Sequence, residues 1–152
     1  MDISNLEQRL SAEVNSYMSV HNLTALGVAR KAYNDLGLSV VVTGSYVRAL
    51  KHGQIHSGQP FIIPTPYEER LQSPKYMVHL ERHAYILHKM KVPEDHPIIA
   101  IIKELDPRFV YPPNMESIRA RIELNQLLER LPSLKPGELV DLLSFLKKFN
   151  GK

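Results

Sequence analysis

With 152 residues, 43% of them apolar and 23% charged, the chain is long enough for one compact domain, or a small head with a second helical module, and too apolar to be disordered. The absence of cysteine excludes a disulfide framework, a thiolate metal site and a cysteine nucleophile, and favours a reducing compartment. The net charge of +3 permits nucleic-acid binding without demanding it. Its distribution is more telling. Between Leu26 and His56 the ions Arg30, Lys31, Arg48 and Lys51 stand against Asp35, with His52 and His56 beside them, whereas acids and bases cancel from Pro66 to Arg108. The start, Met1-Asp2-Ile3-Ser4, lacks the basic and apolar pattern of a secretory signal, and no run approaches the ~20 apolar residues of a membrane span, so a cytoplasmic protein is expected.

Ser4 and Glu7 have capping-box spacing, and Leu6, Leu10, Val14 and Tyr17 follow at helical intervals, predicting a first helix. A second is predicted over about Leu26 to Leu36, capped by Thr24, with Leu26, Ala29, Ala32, Tyr33 and Leu36 on its inner side and Gly37 at its C-terminal end. The stretch Leu38 to Ser45 is ambiguous. Its three valines, Val40 to Val42, favour a strand by propensity, yet the flanks are helical, so it is read as a turn leading into a short helix over Ser45 to His52 that stops at Gly53.

Glycines and prolines then punctuate residues 53–74, a connector containing the apolar run Phe61-Ile62-Ile63 and the place where a module boundary is expected. Ser73-Pro74 starts a helix carrying Met77, Leu80, Ala84, Leu87 and Met90. Ile98 to Ile102 is short enough for either helix or strand, and Pro97 at its head favours helix. Asn114 can cap a helix with Ile118, Ile122, Leu124, Leu127, Leu128 and Leu131. A last helix from Pro136 carries Leu139, Leu142, Leu143, Leu146 and Phe149, with Lys147 and Lys148 at its negative end.

The segment Ser45-Tyr46-Val47-Arg48-Ala49-Leu50-Lys51-His52-Gly53 resembles the recognition helix of the lambda-repressor-like (Cro/XRE) helix-turn-helix family, whose usual pattern is Ser-x-Ile/Val-Ser-x-Ile/Leu-Glu-x-Gly. Ser45, Val47, Leu50 and Gly53 match; Arg48 and Lys51 replace the frequent serine and glutamate. The similarity covers about residues 20–58. One spacing departs from the pattern: the family's turn glycine lies about six residues before the first inner aliphatic, and Gly37 lies ten before Val47. The resemblance implies a dimeric, sequence-specific transcriptional regulator, a repressor, bound to double-stranded DNA. Arg30 and Lys31 would contact phosphates, Thr43, Ser45, Tyr46 and Arg48 would lie near base edges, and Lys51, His52 and Gln54 would hold the backbone.

The two closing leucine-rich helices are similar to C-terminal segments of regulators in that family, which implies dimerisation through Leu127, Leu131, Leu139, Leu142, Leu143 and Leu146. A hairpin completing a monomer's core has the same periodicity. His79 and His83 have the i, i+4 spacing of zinc ligands, but His79-Leu80-Glu81-Arg82-His83 fits neither His-Glu-x-x-His nor His-x-x-Glu-His, so a solvated or aromatic-packed histidine face is expected and no metal. Glu68-Glu69 and Glu94-Asp95 flank helix starts, where capping accounts for them. No phosphate loop or nucleophile elbow is present, so no catalytic residue and no cofactor is expected.

The expected architecture is therefore all-α or mainly α, with a helix-turn-helix DNA-binding head over residues 1–58 and a helical dimerisation part, a hairpin or bundle, over residues 59–152. The rival reading is a protein-interaction module without DNA binding, such as an antitoxin, anti-repressor or adaptor, using Phe61-Ile62-Ile63 and the final leucines.

Overall fold

The computed structural model describes residues 3–59 and 66–150, the last two by backbone alone. The described residues form eight α-helices and no strand: α1 (Ile3–Val20), α2 (Ala25–Leu36), α3 (Val40–Lys51), α4 (Tyr67–Gln72), α5 (Met77–Lys89), α6 (Pro97–Leu105), α7 (Met115–Glu129) and α8 (Pro136–Asn150). The fold is all-α. Among the described residues no helix is long and apolar enough to cross a membrane. The run Phe61-Ile62-Ile63 lies outside the described residues, as does the side chain of Phe149.

Several helix starts have a local cause. Thr24 caps α2 by accepting from the Gly27 amide at 3.0 Å, and Asn114 Oδ1 accepts from the Ser117 amide at 3.1 Å at the head of α7. At α6, His96 Nδ1 accepts from the Ile98 amide at 3.0 Å and Pro97 occupies the first turn, so the isoleucine run is a helix and not a strand. Ser4 departs from its expected capping role: α1 already includes Ile3, which leaves Ser4 inside the first turn.

Two compact units follow along the chain, Met1–Ile118 and Arg119–Lys152. In the first, α2 packs on α3, α1 on α6 and α3, and α5 on both α2 and α3. Leu10, Val14, Val28, Val47, Leu50, Leu80, Ile86, Leu87, Ile98, Ile99, Ile102 and Leu105 make one continuous buried set. Leu26 and Tyr33, expected on the inner side of α2, are exposed; Val28 takes the inner position with Ala29, Ala32 and Leu36.

The connector after Gly53 is not a module boundary. Ile55, His56 and Ser57 are buried, and polar contacts tie the segment across the unit. His56 Nε2 donates to Asp106 Oδ2 at 2.8 Å and His83 Nε2 donates to Ser57 O at 3.0 Å. The Arg108 guanidinium reaches Asp106, Ser73 O and Arg70 O, each within 3.0 Å. The expected division at residue 58 thus moves to 118, because α5 and α6 belong to the same core as the head.

Candidate nucleic-acid interface

The link between α2 and α3 is three residues, Gly37, Leu38 and Ser39. Gly37 adopts φ 67°, ψ 29°, the left-handed conformation that lets the chain leave a helix sharply, and its amide donates to Asn34 O at 3.1 Å while the Leu38 amide donates to Tyr33 O at 3.0 Å. Ser39 then caps α3 by accepting from the Val42 amide at 3.1 Å. The valines are the first turn of α3, not a turn preceding it. The apparent excess of four residues between Gly37 and Val47 is therefore one additional helical turn at the N-terminal end of α3.

Three neighbours fix α3. At its C-terminal end, Ser11 Oγ and Asn15 Nδ2 of α1 donate to Lys51 O at 2.6 and 2.9 Å, supplying donors to a carbonyl the helix leaves unpaired. Gly53, at φ 76°, presses against α1 so closely that a Cβ there would lie 2.0 Å from Glu7 O. At its middle, the Tyr46 hydroxyl accepts from Arg82 Nη1 at 2.6 Å and pairs with His79 Nδ1 at 2.7 Å. Burial first, then the charge of Arg82, pushes His79 down to about 4, so its ring is neutral near pH 7, and the tautomer protonated on Nε2 leaves Nδ1 to accept the tyrosine proton. The Tyr46 ring is covered by Gly58, where a Cβ would come within 2.7 Å of it.

This arrangement corrects two expected DNA contacts. Tyr46 is 3% exposed and Thr43 is fully buried, with its hydroxyl donating to Ser39 O at 2.8 Å, so neither side chain is available to a base edge. The inner arc of α3 is broad because α1, α2 and α5 all pack against it. The remaining expected contacts stay at the surface: Arg30, Lys31, Arg48 and His52 are exposed, and Ser45, Lys51 and Gln54 half-exposed. Asp35, the acid among them, accepts from the Tyr85 hydroxyl and pairs with Lys89 at 3.5 Å.

Val41 and Val42 were missed. They are 75% and 43% exposed, and Val41, Ser45 and Arg48 follow one another at helical intervals on α3, with the C-cap His52 next in the row. The readable signal was Ser39, a capping residue placed one before Val40. Arg48 lies back toward the start of the helix, its Nη2 donating to Ser45 Oγ at a long 3.4 Å.

Two histidines of α5, His79 and His83, are packed against Tyr46. His83 is fully buried, held down to about 3 by that burial, and ringed edge-on by Tyr46; His79 is engaged with Tyr46. No group of three or more His, Cys, Asp or Glu side chains among the described residues is placed to hold a metal ion. His56 is likewise kept neutral by burial, so its bond to Asp106 is a neutral N–H donating to a carboxylate. Burial raises the Asp106 carboxyl, but hydrogen bonds from Arg108 and His56 outweigh it and hold the group below the usual range.

Of the leucines expected to pair two copies, Leu139, Leu143 and Leu146 are exposed and Leu127, Leu131 and Leu142 half-buried. Leu124, Leu128 and Val140 add to the exposed set. Comparison of the chain with protein-family models, with curated proteins and with solved structures returns no match.

Proposed function

We propose that the chain is a sequence-specific DNA-binding transcriptional regulator, a cytoplasmic repressor, with α3 as the element that enters the major groove. The observation carrying this reading is the three-residue turn through a left-handed Gly37 into a capped α3, whose outer stripe is short, mixed in chemistry and flanked by uncompensated basic side chains. On this reading the exposed Arg48 would offer its forked donors to guanine, Ser45 would act as donor or acceptor, and Val41 with Val42 would meet thymine methyl groups. Arg30, Lys31 and Lys51 would neutralise phosphates, and His52 and Gln54 would hydrogen-bond the backbone, together setting the register.

A second reading, docking to a protein, is favoured by the exposed apolar side chains Leu26, Val41 and Val42 on α2 and α3. Selection of bound duplexes from a random library, followed by titration of the selected site at several salt concentrations, separates the two. The DNA reading expects an enriched motif and affinity that falls with salt. Arg48→Ala should then weaken the selected site by roughly 5- to 150-fold while sparing random DNA. Lys31→Ala should weaken both alike and reduce the salt slope by about 1. Binding that is absent at low salt, or equal losses for Arg48→Ala on every sequence, would overturn it.

A further inference from the structure

Between α5 and residues 108–117, the Met1–Ile118 unit holds a cavity of about 210 Å³ that the DNA reading does not use. Met77, Leu80 and Ala84, one row of α5, form one wall, and Val110 with Pro113 the other. At roughly 30 Å³ for each water-sized group, the space takes about seven non-hydrogen atoms. Its walls are fixed in advance. Leu80 and Ala84 belong to the buried core, and three bonds hold the opposite wall: the Arg108 amide donates to Asp106 Oδ1 at 3.0 Å, the Tyr111 hydroxyl to Val92 O at 2.6 Å, and the Ser117 amide to Asn114 Oδ1 at 3.1 Å. A preformed apolar recess with a few convergent polar groups is the usual form of a small-molecule site.

We propose that this cavity binds a small alkyl- or cycloalkylammonium ion, with its charged end on Glu81 and its hydrocarbon body between α5 and Val110. The sign follows from how the polar groups are already used. Among the described residues lining the cavity, the charged ones are Glu81 and Arg108. Of the five N–H donors of Arg108, four are spent: Nε on Asp106 Oδ1 at 3.0 Å, Nη2 on Asp106 Oδ2 at 2.8 Å and Arg70 O at 3.0 Å, and Nη1 on Ser73 O at 3.0 Å. A ligand carboxylate would meet a guanidinium whose fork is turned on Asp106. Glu81, in the same row of α5 as Leu80 and Ala84, accepts from Ser117 Oγ at 2.8 Å, which uses one of the roughly four lone-pair positions of a carboxylate. With its proton given to Glu81, the Ser117 hydroxyl keeps an acceptor position for a second N–H of the ammonium. Charge-assisted bonds of this kind, made beside apolar walls, are stronger than those of a neutral ligand of the same shape.

The experiment uses the full chain without DNA, so its outcome is independent of whether α3 binds DNA. Cyclohexylamine, cationic at pH 7 and of the size the cavity takes, is the probe; cyclohexanol is its neutral counterpart, and leucine carries an added carboxylate. Titration followed by methyl NMR should show saturable binding of cyclohexylamine with a Kd on the order of 1 mM, shifts concentrated at Met77, Ala84 and Val110, and affinity about tenfold above that of cyclohexanol. Glu81→Gln keeps the shape and an acceptor for Ser117, and should remove the tenfold difference while leaving cyclohexanol within about twofold. Should that variant fold poorly, the comparison of amine with alcohol on the native chain decides the matter by itself. No saturable binding up to about 20 mM, equal affinity for the alcohol, or shifts centred elsewhere overturns the proposal. Tighter binding of leucine overturns it equally, since Arg108 would then be holding a carboxylate.

Discussion

Replacing Tyr46 with phenylalanine separates a residue that holds α3 from one that would read a base. The ring stays in place over Gly58, so no cavity larger than one oxygen forms. What is lost is the hydroxyl between Arg82 Nη1 at 2.6 Å and His79 Nδ1 at 2.7 Å. A hydrogen bond from a charged donor contributes about 1.5 to 3 kcal/mol and a neutral one about 1. Arg82 is half-exposed and regains water when the hydroxyl goes, which places its share at the lower end. The expected loss is therefore about 2 kcal/mol, read in urea unfolding as a lower midpoint with an unchanged slope. Sequence preference on any selected duplex should be unaltered. Arg48→Ala is the mirror case, since an exposed side chain with one long contact should cost less than about 0.5 kcal/mol of stability. A stable Tyr46→Phe protein with altered base preference would refute the placement of Tyr46 in the core.

Gly53→Ala should be among the most damaging small substitutions, at about 3 kcal/mol or more, because the added carbon meets Glu7 O at 2.0 Å in a backbone conformation of positive φ; Gly137→Ala, with nothing within 4 Å, is the control and should leave unfolding midpoints unchanged or raised. Stability should also fall on mild acidification. His83 and His79 protonate near 3 and 4 when folded and near 6.5 when unfolded, so between those values the unfolded chain binds more protons; the stabilisation is complete above 6.5 and lost as pH drops toward 4. At pH 5 that amounts to about 2 kcal/mol from His83 and a smaller, screened share from His79, and a flat stability profile from pH 7 to 5 would contradict the burial of both rings. Asp106→Asn should cost about 3 kcal/mol, because it leaves the Arg108 guanidinium and the His56 N–H facing a neutral amide where a carboxylate without solvent exposure had accepted both.

Helix order, most helix ends and much of the inner face were legible because they depend on periodicity and caps that lie within a few residues of one another. Val47 and Leu50 face inward as their spacing required. The start of α3 was misread because three valines weigh against a helix by only a few tenths of a kcal/mol each, less than one serine cap together with the packing of the continuing helix. Thr43 and Tyr46 were misassigned for a different reason. The side of α3 that Tyr46 occupies becomes inward when α5, more than thirty residues later, packs there, and Thr43 is buried in the same assembled unit. The same distance in sequence hid the domain boundary: nothing local to His56 announces Asp106 fifty residues on.

The attachment of α3 at both ends and at its middle has a consequence for any ligand it meets. Ser11 and Asn15 hold its last carbonyl, Ser39 and Gly37 fix its start, and Tyr46 is pinned to Arg82 and His79, so the helix has little freedom left to lose on association. The entropic cost of fitting falls on the other molecule. If α3 reads DNA as proposed, discrimination would accordingly report how easily the duplex changes shape as well as which groups it presents, and positions the side chains never touch would contribute to affinity.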